Sequence, residues 1–299
     1  LGDRGGDGRD GGVECLAEMI TLDNVTYTYP ATTTPALRNI SLTIPAGQFC
    51  AVVGANGAGK STLAYALAGF VPHFYHGKLD GKIMVGGKDT AATPLSELVL
   101  DVGLVFQNPF NQISGTKFTV REEIAFGLEN LGVPRDEMLA RAEAAMRVVG
   151  IELLADRSPL ALSGGQMQRV AIASVLVMRP KAIVLDEPTS QLDPIGSREV
   201  FAAIRALAAE GSTVVMIEHK LEWVAEFADR IGMASYTLVG TRGDVDFMLW
   251  QVSPTLEALT ELAAQLNHAR LGKFLFMPHS YLAMTRPSPY VDQHRHPGQ

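Results

Sequence analysis

The stretch Gly54-Ala55-Asn56-Gly57-Ala58-Gly59-Lys60-Ser61-Thr62 constrains this chain more than any other. It fits G-x-x-x-x-G-K-S/T, and its surroundings agree with that pattern. Phe49-Cys50-Ala51-Val52-Val53 before it is a continuous apolar run that reads as a buried strand. After it, Leu63, Ala64, Leu67 and Ala68 fall on one helical face. Strand, glycine-rich loop and helix in this order make a cradle for phosphate groups. Gly57 and Gly59 let the backbone curl so that successive N–H groups point inward, and the helix N-terminus adds the positive end of its dipole. Gly54, Asn56 and Thr62 complete the candidate nucleotide loop. Lys60 is placed to reach the β- and γ-phosphates as a mobile charge, and Ser61 offers a hydroxyl to Mg²⁺.

The rest of the composition narrows the class. A chain of 299 residues has room for one large domain or two small ones, and 47% hydrophobic residues supply a core. The net charge of −7 carries no basic footprint, so no nucleic-acid partner is expected. Of the two cysteines, Cys15 lies in a polar leader and Cys50 in a core strand, a pattern that suits a reducing compartment rather than a disulfide framework. No apolar run is long enough to span a bilayer, and the N-terminus has no apolar signal core.

Residues 1–18, rich in Gly, Asp and Arg, are expected to be a disordered leader, with Met19 as the natural start. Ile20–Tyr29 reads as a strand, and Ile40, Leu42 and Ile44 alternate in a second one that ends at Pro45-Ala46-Gly47. Lys82–Val85 and Val102–Phe106 are further short strands. Thr119-Val120-Arg121-Glu122 is a capping box that opens a helix, and another helix runs from about Pro134 to Val149 and stops at Gly150. Ser163 caps a helix that continues to about Met178. The strands Ala182–Leu185 and Thr213–Ile217 flank a helix with Pro194 in its first turn. Strands alternating with helices predict an α/β fold with a mostly parallel, helix-covered sheet.

A phosphate loop alone indicates only a nucleotide. Two further elements make it specific: Leu162-Ser163-Gly164-Gly165-Gln166-Met167-Gln168-Arg169, and the strand ending Leu185-Asp186-Glu187-Pro188. The interval from Ser163 to Asp186 suffices for one helix and a return to the sheet. With the loop Ser190-Gln191-Leu192-Asp193 after them, these motifs resemble the ATP-binding cassette (ABC) family across Met19 to Ile231. The resemblance implies a P-loop ATPase core with an N-terminal antiparallel β-subdomain and a helical signature subdomain over about 119–178. The cassette would then occupy 19–231, followed at 232–299 by an atypical extension with one helix, opened by Ser253-Pro254, and a disordered tail.

The same resemblance implies ATP and Mg²⁺ as ligands. Asp186 would hold Mg²⁺ together with Ser61 and Gln107, and Glu187 would be the general base that polarises the attacking water. Gln107 would contact the metal and sense a membrane partner, His219 would lie near the γ-phosphate, and Tyr29 would stack on adenine. Ser163, Gly164, Gly165 and Gln166, at a helix N-terminus that suits an anion, would bind the γ-phosphate held by a second ATPase subunit. The working unit would therefore be a dimer.

Within that family the chain is most similar to the ATPase subunits of energy-coupling factor transporters, which import vitamins and transition-metal ions. The resemblance rests on Phe106-Gln107-Asn108-Pro109-Phe110-Asn111-Gln112, on Thr119 to Asn130 and on Glu218-His219-Lys220-Leu221-Glu222. It implies a transmembrane coupling protein and a substrate-binding membrane protein as partners, at the cytoplasmic face of the membrane. Gln191 departs from the usual Ala of its loop. The stretch after Ile231 lacks the expected strand, turn and strand, through divergence or a shifted reading frame. A soluble ABC ATPase linked to nucleic acid, ribosomes or cluster assembly is the alternative, although the interval from Lys60 to Ser163 is too short for a long coiled coil. His73 and His76, and His294-Arg295-His296 in the tail, are read as packing or solvated residues rather than metal ligands.

Overall fold

The computed structural model describes residues 18–54, 56–219, 224, 226–234 and 251–253. Both flanking regions read as disordered, the Ser253-Pro254 helix and the tail histidines lie largely or wholly outside that range. Four strands form an antiparallel sheet: β1 (Glu18–Thr28), β2 (Leu37–Pro45), β4 (Lys78–Val85) and β5 (Lys88–Asp89), in the order β2-β1-β4-β5. A six-stranded sheet holds β3 (Phe49–Gly54), β6 (Val102–Val105), β7 (Ala182–Asp186), β8 (Thr213–Ile217), β9 (Arg230–Ala234) and β10 (Gln251–Ser253). Its order is β10-β9-β3-β8-β7-β6, parallel throughout except for the β9–β10 pair.

Strands β3, β6, β7 and β8 read as unbroken apolar runs because both faces are covered. On one face Cys50, Val52, Leu104, Val184, Val215 and Ile217 pack with β1, β2 and α1 (Lys60–Leu67). On the other, Phe49, Val105, Ile183, Leu185, Val214 and Met216 pack under the helices. Those helices are α4 (Val120–Asn130), α5 (Arg135–Val149), α6 (Gly164–Leu176) and α7 (Pro194–Ala209), while the single-turn α2 (Phe70–His73) and α3 (Leu95–Leu98) lie between α1 and β6. Thr119 caps α4 in the expected capping box, and Gly150 closes α5 in the left-handed conformation that glycine favours.

The cassette boundary expected after Ile231 cuts through a strand. β9 runs to Ala234 and pairs with β3 in register, from Cys50 opposite Arg230 to Gly54 opposite Ala234. Its sequence, Arg-Ile-Gly-Met-Ala, has neither alternation nor β-branched density. Ladder hydrogen bonds to β3 hold it in the sheet, and these leave no side-chain signature.

Candidate functional site

Parallel register brings the carboxyl ends of four strands to one edge. Val52 lies opposite Ile217, Ile217 opposite Asp186, and Leu185 opposite Val105. The residues that follow therefore converge: the phosphate loop after β3, Gln107 after β6, Glu187 after β7 and His219 after β8. Open α/β sheets bind ligands at such an edge.

In the phosphate loop, Gly57 and Gly59 adopt φ +82° and +84°, where a side chain is strained. A Cβ on Gly59 would also stand 2.3 Å from the Ala36 carbonyl oxygen. Asn56 is exposed on the loop. The buried Lys60 donates from Nζ to the Gly54 carbonyl oxygen at 2.8 Å. Burial lowers its pKa, opposed by the nearby carboxylates of Glu187 and Asp186. Tyr29 reaches this loop through its hydroxyl, 3.1 Å from Thr62 Oγ1, and its ring meets those of Tyr27 and Tyr75 edge-on.

Asp186 is 1% exposed, and neither carboxylate oxygen accepts a hydrogen bond of good geometry. Burial raises its pKa, against the pull of the Ser61 hydroxyl beside it; the Glu187 charge raises it further, while Lys60 and His219 lower it. A buried carboxylate with only the Ser61 hydroxyl beside it, at a strand end, is a donor set that a hard divalent cation satisfies. The residues present fit Mg²⁺.

Glu187 has φ +49°, an uncommon conformation for a residue with a side chain. It is held there by its N–H, which donates to the Ile217 carbonyl at 3.0 Å. Its carboxylate takes Gln107 Nε2 on one oxygen at 2.7 Å, and the other lies 2.8 Å from His219 Nε2. Gln107, Glu187 and His219 thus form one hydrogen-bonded group beside Asp186 and Lys60.

Ser163 caps α6. Its Oγ accepts the Gln166 N–H at 3.3 Å, and its own N–H donates to Gln166 Oε1 at 3.0 Å. Gly164 and Gly165 press on the loop after β7, where added Cβ atoms would stand 3.1 Å from Gln191 Oε1 and 3.0 Å from the Gln191 carbonyl oxygen. The signature helix therefore meets the Glu187 loop through Gln191. His73 Nε2 donates a hydrogen bond to the Thr90 carbonyl oxygen at 2.9 Å.

Two polar residues given no role from sequence also serve this edge. Gln112 accepts the Phe106 N–H at 3.3 Å and donates to Ala171 O and Ser174 Oγ, which ties the strand end before Gln107 to α6. It helps line a groove of about 460 Å³, whose walls include Phe70, Leu95, Phe106, Phe126 and Met178. The other, Glu218, is buried between Thr189 and the His219 backbone. Both sit beside recognisable motifs, but a lone Gln or Glu has no periodicity to mark it.

A phosphate loop, a strand-end Asp-Glu pair and a capped signature helix on a sheet of this order define an ABC ATPase. The comparisons agree. The ABC transporter family model matches residues 37–190. A Pyrococcus abyssi protein that carries an ABC transporter ATP-binding protein name is 44% identical over 214 residues, 71% of this chain and 76% of the relative. The structure of cbiO1 from Clostridium perfringens, described as part of the ABC transporter complex cbiONQ, superposes with TM-score 0.67 at 30% identity, over 86% of this chain and 97% of that one. The dimeric ATP-binding cassette MJ0796 bound to ADP and Pi gives TM-score 0.64 at 29% identity, over 72% and 94%. The chain belongs to the ABC transporter ATP-binding family. A chlorite dismutase model also matches residues 213–298, less than a third of the chain. The described start of that match is β8, a central strand of the ABC sheet.

Proposed function

We propose that this chain is the ATP-hydrolysing subunit of an energy-coupling factor type importer for a vitamin or a transition-metal ion. The observation that carries the hydrolytic reading is the Glu187 carboxylate, held by Gln107 and His219 beside Asp186 and Lys60. In this reading Gly54, Asn56, Gly57, Gly59, Lys60, Ser61 and Thr62 cradle the nucleotide phosphates, and Tyr29 supports the adenine. Asp186, Ser61 and Gln107 hold Mg²⁺, which when bound neutralises charge on the phosphates. Glu187 takes the proton of the attacking water. To do so it gives up one of its two present donors, and His219 or Gln107 is freed to turn toward the phosphate. Ser163, Gly164, Gly165 and Gln166 of a second ATPase subunit complete each site.

The transporter subtype is supported by two things: the run from Phe106 to Gln112, and the likeness to cbiO1, itself part of a transporter complex. Among the described residues no helix is long and apolar enough to cross a membrane, so in this reading separate coupling and substrate-binding proteins supply the membrane path. The apolar groove lined by Phe106 and Gln112 suits a helix of the coupling protein. Solute uptake tests the subtype. Cells lacking this chain should lose uptake of one vitamin or transition-metal ion, regain it with the wild type and fail to regain it with Glu187→Gln. Undiminished uptake of every such solute would overturn it.

A further inference from the structure

Glu218 follows β8 and is 3% exposed, a burial that glutamate rarely accepts unless its carboxylate is bonded. One oxygen accepts the His219 backbone N–H at 2.7 Å, and the other accepts the Thr189 hydroxyl. Its own N–H donates to Val52 O at 3.1 Å, on the strand that leads into the phosphate loop. Thr189 is fully buried and is the fixed point of the turn that leaves Glu187: the Ser190 N–H returns to Glu187 O and the Leu192 N–H to Thr189 O, both at 3.1 Å. A single carboxylate therefore joins the loop after β7 to the loop after β8, the two loops that carry Glu187 and His219. Burying a carboxylate is costly, and a strained residue such as Glu187 persists only where its surroundings over-determine it.

We propose that Glu218 is a positioning residue, whose carboxylate, bonded to Thr189 and to the His219 backbone, sets the spacing between Glu187 and His219 for hydrolysis. The inference rests on the reading of Glu187 as the base. It adds that the separation of 2.8 Å between the two side chains is maintained from beneath. It also gives Thr189 a defined part, since that hydroxyl fixes the turn that carries Gln191 toward Gly164 and Gly165.

The experiment compares Glu218→Ala, Glu218→Gln and Thr189→Val with the wild type, with Glu187→Gln as reference. The kcat and KM for Mg²⁺-ATP are measured on each, and nucleotide binding by titration. Misplacing a catalytic pair costs on the order of 10- to 100-fold, so Glu218→Ala should lose that much in kcat while ATP affinity stays within about twofold. Thr189→Val, nearly isosteric and expected to fold, should lower kcat in the same direction, and the double variant should fall no further than the worse single one. Glu218→Gln should keep most of the activity, because its amide oxygen can accept from His219 while its amide nitrogen donates to the Thr189 hydroxyl. Wild-type kcat in both Glu218→Ala and Thr189→Val overturns the inference. So does a parallel loss of binding and turnover that Glu218→Gln does not rescue. Normal hydrolysis by Glu187→Gln removes the reading of Glu187 and this inference with it. Loss of activity there, with wild-type turnover in both Glu218→Ala and Thr189→Val, removes this inference alone.

Discussion

Lys60 turns back on its own loop, where its Nζ donates to the Gly54 carbonyl oxygen at 2.8 Å and closes the glycine-rich turn on itself. The ammonium is buried, and that burial works against its charge. The carboxylates of Glu187 and Asp186 offset part of that cost. An anion entering the loop would offset more of it, so the same geometry that strains an isolated lysine favours phosphate.

Replacing Lys60 with Ala is therefore expected to weaken Mg²⁺-ATP binding at least tenfold, about 1.4 kcal/mol. Calorimetric titration measures this directly. An unchanged affinity would count against the assignment of the loop.

Asp186 presents the opposite case, a carboxylate without a good donor. Its folded pKa is raised above the ordinary value of 3.8 by burial. The folded state then holds the proton more tightly than the unfolded chain. The stability this contributes is present below the ordinary value and is lost as the pH rises through the raised one. At neutral pH, without nucleotide or metal, Asp186→Asn should therefore stabilise the fold by about 1–2 kcal/mol, read as a rise of a few degrees in Tm. The added stability that Mg²⁺-ATP gives the wild type should be absent in the variant. A fall in Tm would mean that the carboxylate makes stabilising contacts in the folded chain.

The loop glycines should not respond alike. A Cβ at Gly57 meets nothing within 4 Å, so Gly57→Ala carries only the strain of its φ, roughly 1–2 kcal/mol. A Cβ at Gly59 carries the same strain and also strikes the Ala36 carbonyl at 2.3 Å, a backbone atom that cannot swing aside. Gly59→Ala should abolish ATP binding and lower Tm by more than Gly57→Ala does, as thermal melts with and without nucleotide would show. Equal behaviour of the two variants would contradict the packing of the loop against the chain before β2.

Much of this was legible in the sequence because the relevant signals are local. The loop, the capping box at Thr119, the Ser163 cap and the apolar runs of β3, β7 and β8 depend on neighbours a few residues away, and they predicted the parallel sheet. What escaped depends on distant partners. β9 is defined by its ladder to β3 rather than by its own composition. Gln112 and Glu218 acquire their roles only when α6 and Thr189 are brought beside them. Hydrogen exchange should show strong protection of the β9 amides that face β3, at the level of β8. Rapid exchange there would restore the boundary that the sequence suggested after Ile231.

The central claim is that Glu187 is the base of an ATP hydrolase. Glu187→Gln keeps the size of the side chain and most of its hydrogen bonding but removes the basic oxygen. The direct measurement is steady-state hydrolysis of Mg²⁺-ATP by this variant and by the wild type, with nucleotide binding measured on the same samples and any partner ATPase present. Turnover should fall by about two orders of magnitude or more while binding persists. Turnover equal to that of the wild type would contradict the account.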